Sequence, residues 1–581
     1  MYRPDIDGMR AFAVSFVILF HIWPMCLPGG FIGVDIFFVL SGYLITSIIS
    51  SEMKNGEFKL REFYARRIKR ILPVLWVVLA SSLFISYFIL IPIDLLSFVK
   101  SAKFTALNIS NFYFSNKGAG YFSPEVNQYP LLHTWSLSAE EQFYFFWPLL
   151  LLLTHRVFIS IRVRLVTALS VFAISIFIAC YFSNSDSLRF GWGSYGYYSI
   201  FSRSYELMLG AITAIIAQEI RLTTFAAKTK QKYYFGNLLA FVGLGMIVIA
   251  LFRLNENTHF PSYYALLPTT GTALIILAGG ITHNSYLNRL LSKKYFVAIG
   301  LISYSMYLWH WPLLALTRYY NSSSVISIQN GIYLIIVTFL LSIFSYFCVE
   351  YQFKRIKLSF QKAFITLYFI PLLIILFSGF YIEHKQGFVD RVSKKGQLEL
   401  RNWDATYCHD SIKGSCIFGD LTAVPTRVLM FGDSHVGNYS PFWNEIAKKY
   451  GFSLKIVDVG LCYPLIDTVG HTPSSRKNFY NPELCRQQIK LISNSYQSYD
   501  VIIIAGQWNA YLPPANLGGI NFNEEFLNTL STFQQHNKKV IVMGDTPYDK
   551  NRDQILPFLR HSFLSSSAKR KNQRFSLLCW N

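Results

Sequence analysis

Arg10 and His21 stand in the first long apolar stretch of the chain, separated by AFAVSFVILF. On a helix turning ~100° and rising ~1.5 Å per residue, that spacing is almost three whole turns. Both side chains therefore share one helix face, roughly 16 Å apart along the axis. An imidazole with an ordinary pKa near neutrality can take a hydroxyl proton or hold a transferred group. Ionisable side chains within an apolar span are expensive to bury and point to a working site. The plain alternative for His21 is a hydrogen-bonded core residue.

Further groups of the same kind recur downstream. GGFIGVDIFFVLSGYLIT (Gly29–Thr46) places Asp35 inside the second apolar run, among glycines that allow close helix approach. FYARRIKRILP (Phe63–Pro73) sets Arg67 and Arg70 one helical turn apart, a spacing suited to gripping phosphate. Topology and anionic lipid are the alternative reading of that basic cluster. In HTWSLSAEEQFYFFWP (His133–Pro148), Ser138-x-x-Glu141 fits a capping box, which leaves Glu140 and His133 without a structural reason. ISYSMYLWHWP (Ile302–Pro312) carries His310 between two tryptophans and reads as part of an interfacial aromatic belt. Far downstream, VLMFGDSHVGNY (Val428–Tyr439) reads as strand, tight turn and helix. Ser434 on such a turn is exposed as a nucleophile with its own N–H aimed at an oxyanion; a helix N-cap is the alternative. No CxxC or Cys/His spacing suggests a metal.

The elements that must position these groups follow from composition. The chain has 581 residues, of which 52% are hydrophobic and only 15% charged, with a formal net charge of +21. That is well below the roughly 25% charged residues of ordinary globular proteins and indicates a membrane protein. The positive excess lies in short loops between apolar segments, so nucleic acid is not its expected partner; a lipid bilayer is. Apolar runs long enough to span fall at 10–28, 31–50, 71–92, 141–154, 165–182, 203–220, 235–252, 263–282, 297–316, 331–350 and 363–382. The fourth is short and glycines interrupt the second. The first shows no signal-peptide cleavage site and reads as a retained span. Lys and Arg crowd alternate loops, among them 54–70, 156–164, 221–232, 289–294 and 354–362. The positive-inside rule makes those loops and the N-terminus cytoplasmic, and everything after about residue 383 lies outside.

Beyond 383 the chain turns polar. Short β-branched runs at Val428–Phe431, Leu454–Val459, Val501–Ala505 and Val540–Gly544 alternate with helical stretches at Pro441–Tyr450, Pro482–Ser493 and Asn523–His536. This order predicts a parallel α/β sheet. In an oxidising compartment the expected disulfides are Cys408–Cys416 and Cys462–Cys485, whereas Cys26, Cys180 and Cys348 read as inert packing residues.

RPDIDGMRAFAV…LFH, GFIGVDIFFVLSGYLIT, FYARRIKRILP, HTWSLSAEEQFYFFWP and ISYSMYLWHWP together resemble the membrane acyltransferase-three family of bacterial O-acyltransferases, in family order over about residues 1–350. The resemblance implies a bundle of about ten helices plus one linking helix. It would take acetyl from cytoplasmic acetyl-CoA, used as a substrate with no permanently bound cofactor, and pass it to an envelope glycan such as lipopolysaccharide O-antigen. It carries the family's Arg and His onto Arg10 and His21, its Arg-x-x-Arg onto Arg67 and Arg70, and its acidic residue onto Glu140 or Glu141. VLMFGDSHVGNY resembles the first block of the SGNH superfamily, which makes Ser434 the nucleophile and Gly460 a second oxyanion donor. GQWNAY (Gly506–Tyr511) lacks the superfamily's Gly-x-Asn-Asp, so Asn509 is the weaker third donor. No late Asp-x-x-His is present, and the chain ends in the basic SSSAKRKNQRFSLLCWN, which reads as a truncated domain. Expected boundaries are a membrane acyltransferase domain (1–350), a loop and linking helix (351–383), a periplasmic extension (384–425) and an SGNH-like domain (426–581), in an inner-membrane protein. The rival readings are a polysaccharide transporter, which needs no GDSH turn outside the membrane, and a degenerate acyltransferase copy.

Overall fold

The computed structural model describes residues 2–116, 127–157, 161–183, 196–223, 229–256, 258–282, 285–321, 325–391, 416–433, 435–459, 462–466, 482–506, 508 and 522–544. The chain divides into two compact units, Met1–Phe388 and Val389–Asn581.

The first unit is helical. Its described α-helices of six residues or more include α1 (Pro4–Ile22), α2 (Gly33–Lys54), α3 (Leu60–Ile89), α4 (Pro92–Ala106), α5 (Ser110–Ser115), α6 (Thr134–Val157), α7 (Ile161–Ser183), α8 (Ile200–Thr223), α9 (Thr229–Arg253), α10 (Leu266–Ile281), α11 (Tyr286–Leu291), α12 (Lys294–Asn321) and α13 (Ile328–Ser345). A last helix, α14 (Ile370–His384), follows a π-turn at Ile365–Phe369. Among the described residues, eight helical segments are long and apolar enough to cross a membrane. α1, α6 and α12, which carry most of the ionisable motif residues, are not among the eight.

Several helices begin before the apolar run that announces them. α1 starts at Pro4 rather than at residue 10, with proline in its first turn beside Asp5 and Asp7. The acidic start is not a flank: Arg3 pairs with Asp5 at 2.6 Å, and Asn288 of α11 donates to the same carboxylate at 2.7 Å. α2 is not interrupted by its glycines. α3 begins at Leu60, so the basic motif is helix rather than loop. α6 begins at Thr134, which corrects both the short fourth run and the capping box. Ser138 lies within that helix, and its hydroxyl accepts the Ser110 amide of α5 at 3.2 Å.

α2 and α8 cross at backbone contact. A Cβ on Gly42 would run into the carbonyl of Leu207, and one on Gly210 into the carbonyl of Val39. Only glycine at both positions permits this approach.

The second unit holds a sheet in the order β1-β3-β2-β4-β5. Its strands are β1 (Ile417–Gly419), β2 (Val428–Gly432), β3 (Ser453–Asp458), β4 (Val501–Ala505) and β5 (Lys539–Val542). The four expected strands pair in parallel; β1, three residues long, adds an antiparallel edge too short to show in the sequence. Side chains alternate across the sheet into two cores. Leu429, Phe431, Ile502 and Ile504 face Phe533 on one side, and Met430, Ile456 and Ile503 face Val436 and Ala447 on the other. Helices α15 (His435–Tyr450), α16 (Pro482–Ser495) and α17 (Phe522–Gln535) cover the faces. Cys462 and Cys485 form a disulfide as expected. Cys416 is also disulfide-bonded, and its expected partner Cys408 lies outside the described residues. Cys26 and Cys348 are exposed free thiols rather than packing residues.

Two substitutions test these close contacts. Gly42→Val should lower the thermal unfolding midpoint of the detergent-solubilised protein, through overpacking worth about 1–3 kcal/mol. Gly432 ends β2 at φ +154°, where a Cβ would strike the Ala505 carbonyl. Gly432→Ala should destabilise the second unit by ~1–3 kcal/mol, read as earlier loss of sheet protection in hydrogen exchange.

Candidate active site

α1, α2, α3, α6 and α12 converge on one cavity in the first unit. Arg10 enters it from α1, Phe37 and Ser41 from α2, Arg67 and Arg70 from α3, Ser136, Glu140 and Tyr144 from α6, and Ser303, Tyr304 and Tyr307 from α12. Four of the expected site residues, Arg10, Arg67, Arg70 and Glu140, thus meet although they are up to 130 positions apart in the chain. The Arg67 guanidinium lies over the Tyr144 ring, 4.7 Å from its centroid. The Tyr144 and Ser41 hydroxyls both donate to the Glu140 carboxylate. Arg10 reaches Asp7 only at 3.5 Å, the outer limit of a hydrogen bond, and keeps its head in the cavity. Three guanidinium groups thus line the cavity with one carboxylate, Glu140, while Asp7 pairs with Arg10 from outside the lining. This leaves an excess of positive charge that suits a phosphorylated ligand.

His21 is not part of that lining. It is buried, with Nδ1 3.2 Å from Nε2 of His310 on α12. The two imidazoles stack with planes 10° apart, and the edge of Trp311 meets His21 at 4.6 Å between centroids. The Arg318 guanidinium holds the His21 carbonyl at 2.6 Å. His310 in turn places Nδ1 2.6 Å from the carbonyl of Tyr307. Tyr307 connects the two centres. Its side chain lines the cavity, and its hydroxyl lies 2.6 Å from Ser136 Oγ and 3.2 Å from the His133 carbonyl. The His133 ring packs edge-on to His310 at 5.8 Å.

Asp35 points elsewhere. It lies 3.1 Å from Arg203 of α8, whose guanidinium also meets Glu206 at 2.7 Å, all three side chains fully buried. The rings of Phe38, Trp135, Tyr197 and Phe260 surround that guanidinium at 5.2–5.6 Å. Asp35 is thus an internal ion between α2 and α8 and not a cavity residue. Glu141 likewise does not line the cavity; its Oε1 is buried without a hydrogen-bond partner among the described residues.

The roles of His310 and Tyr307 escape the sequence, where their motif has the look of an interfacial belt. Ser303, Tyr307 and His310 follow one another at four and three positions, hence on one helix face. The same spacing test that joins Arg10 to His21 joins them.

In the second unit, β2 stops at Gly432 and α15 starts at His435. The Asp433 carboxylate accepts the His435 amide at 2.8 Å and caps the helix. The buried Gln488 side chain donates to the Gly432 carbonyl at 2.9 Å. Ser434, Gly460 and Asn509 themselves lie outside the described residues.

Residues 3–351 match the family described as an acyltransferase domain, and residues 402–577 match an SGNH domain described as fused to such domains. YrhL of Bacillus subtilis (strain 168), provisionally named a peptidoglycan O-acetyltransferase, is 33% identical over 359 residues, 60% of this chain and 54% of its own length. O-acetyltransferase OatA of Staphylococcus aureus (strain MRSA252) is 29% identical over 412 residues, 68% of this chain and 66% of its own. OatA of strain NCTC 8325 is 30% identical over 376 residues, 64% of this chain and 59% of its own. The chain thus spans between about half and two thirds of the length of the curated relatives it matches. No solved structure matches it. A helical unit whose family match covers 349 of 581 residues, followed by an SGNH match, makes the chain a member of the membrane acyltransferase family in its SGNH-fused form.

Proposed function

We propose that this protein transfers an acetyl group from acetyl-CoA to a hydroxyl of an envelope glycan. The observation that carries the reading is the convergence of Arg10, Arg67 and Arg70 on one cavity that shares Tyr307 with the His21–His310 pair. Coenzyme A is polyanionic at one end and carries the thioester at the other. Its phosphates match the guanidinium groups, while the pantetheine arm leads the acyl carbon toward the imidazoles. In the transfer, the thioester C–S bond breaks and an ester C–O bond forms. The accepting hydroxyl gives its proton to His21 as general base, and the thiolate leaves to be protonated.

The charge bias of the loops favours a cytoplasmic N-terminus and cavity mouth in a bacterial inner membrane, with the SGNH domain on the far side. There the ester formed in the first transfer would give its acyl carbon to Ser434 Oγ, the departing carrier oxygen taking up the serine proton. The acetyl-Ser434 ester would then exchange Oγ for the glycan hydroxyl oxygen, whose proton returns to Ser434. The acceptor suggested by the motifs alone is lipopolysaccharide O-antigen. The name of YrhL favours peptidoglycan, and that is the acceptor proposed here.

Arg67→Gln and Arg70→Gln should each weaken acetyl-CoA binding to the purified protein about ten- to hundredfold by calorimetry. Each removes one charged hydrogen bond of about 1.5–3 kcal/mol. Undiminished binding in the doubly substituted protein would rule out the cavity as the donor site. In cells, alkali-released acetate from isolated peptidoglycan should fall when the gene is deleted and return with the intact gene but not with Ser434→Ala. Loss of acetate from lipopolysaccharide with peptidoglycan unchanged would reassign the acceptor.

A further inference from the structure

The hydrogen-bond chain from Tyr307 through His310 to His21 determines where each proton sits. A backbone carbonyl only accepts, so at 2.6 Å from the Tyr307 carbonyl the Nδ1 of His310 must carry hydrogen. A neutral imidazole has one N–H, which leaves a lone pair on His310 Nε2. That nitrogen is 3.2 Å from His21 Nδ1, so His21 donates along this contact and keeps its own lone pair on Nε2. A doubly protonated His310 would instead put an extra cation between buried rings, with the Arg318 guanidinium already at the His21 carbonyl. Packing holds both rings in place, and a flip of His310 would move Nδ1 away from the Tyr307 carbonyl and Nε2 away from His21. His21 is wedged against Phe20, Trp311 and His310, and both imidazoles are buried.

We propose that His310 is a positioning residue for the transfer reaction, fixing His21 as the Nδ1–H tautomer so that Nε2 is the nitrogen that takes the hydroxyl proton. The inference rests on the acetyl-transfer reading above and assigns within it a task to a histidine that reads from sequence as membrane-interface packing. His310 does not touch the reacting atoms. It acts through His21, as the carboxylate of a hydrolase triad acts through its imidazole; there, loss of the correct tautomer lowers kcat by about 10⁴-fold.

The test uses the full-length protein in nanodiscs with His310→Leu and His310→Gln. The glutamine amide oxygen can stand where Nε2 stands and accept from His21, whereas leucine cannot. His310→Leu should lower kcat for acetyl transfer about 10²–10⁴-fold with KM for acetyl-CoA within about twofold. His310→Gln should recover to within about tenfold of the unsubstituted protein. A second readout does not depend on turnover. In ¹⁵N-histidine spectra, with the His21 signals identified by their loss in His21→Asn, His21 should be the Nδ1–H tautomer in the unsubstituted and glutamine proteins and mixed in the leucine protein. Full kcat in His310→Leu, or a glutamine protein as impaired as the leucine protein at equal thermal stability, overturns the assignment. So does an Nε2–H tautomer at His21 in the unsubstituted protein. If the spectra show the expected tautomers but the unsubstituted protein transfers no acetyl group, the hydrogen-bond order stands and the enzymatic reading is what fails.

Discussion

A guanidinium held between two carboxylates fixes the centre of the membrane unit. Arg203 and Glu206 on α8 meet Asp35 on α2 with no exposure of any of the three side chains. The attraction in such surroundings is large, but so is the cost of removing the charges from water, and their sum is a weak source of net stability. What the cluster supplies is uniqueness. Removing Arg203 would leave two buried carboxylates without their counter-ion, which typically costs about 3–5 kcal/mol, and sliding α2 along α8 would part Asp35 from that guanidinium. The glycine contacts at Gly42 and Gly210 enforce the same register sterically. Because α2 also carries Phe37 and Ser41, that register decides where the Glu140 carboxylate finds its hydroxyl donor.

From that fixed helix pair, the site divides into two environments. Charged groups collect in the cavity, where aromatic faces and hydroxyls spread their charge: Arg67 over Tyr144, Glu140 between two hydroxyls. The imidazoles lie apart from that lining, packed by Phe20, Trp311 and His133, with the Arg318 guanidinium at the His21 carbonyl. α12 spans both, supplying Tyr304 and Tyr307 to one and His310 to the other within two turns. The division matches the proposed donor, whose charge and reactive carbon are at opposite ends of a flexible arm. A base meant to take a proton works best where its lone pair is aimed and unsolvated. A phosphate needs instead a cluster of fixed cations.

Much of this is legible in the amino-acid sequence. Helical spacing joins Arg10 to His21 and Arg67 to Arg70, and alternating β-branched runs locate four of the five strands described. What escapes is long-range or locally disguised. The partner of Asp35 lies on α8, 168 positions along the chain, and nothing local to either residue announces it. His310 is hidden by two flanking tryptophans, whose usual meaning at a membrane is interfacial anchoring. Trp311 instead donates to the Tyr129 carbonyl and packs on His21, and Trp309 donates to Ser345, so both face the protein. Hydropathy places several helix starts too late, and at α1 the reason is plain. An apolar run stops at the first charged residue, whereas the protein continues the helix wherever a tertiary partner satisfies that charge, as Asn288 does for Asp5.

In the second unit, the turn after β2 is shaped without reference to what Ser434 does. The Gly432 backbone takes a conformation closed to other residues because Ala505 of β4 lies against it. Asp433 then caps α15, and Gln488 clamps the last strand carbonyl from α16, a helix tied by Cys485 to the segment after β3. Strand end, Asp433 cap and Gln488 contact are made by separate elements, beside the two filled cores of the sheet. The nucleophile proposed at Ser434 would gain from such fixed neighbours in the sequence on either side of it. Its rate depends on an approach geometry that a mobile turn would sample only part of the time, and a misplacement of ~1 Å can cost a hundredfold. The same logic holds at His21, whose ring is fixed by its hydrogen bond to His310 and by the rings of Phe20 and Trp311. At His21, the residue proposed to deprotonate stands on a support of Phe20, Trp311 and His310, none of which is assigned a bond-making step.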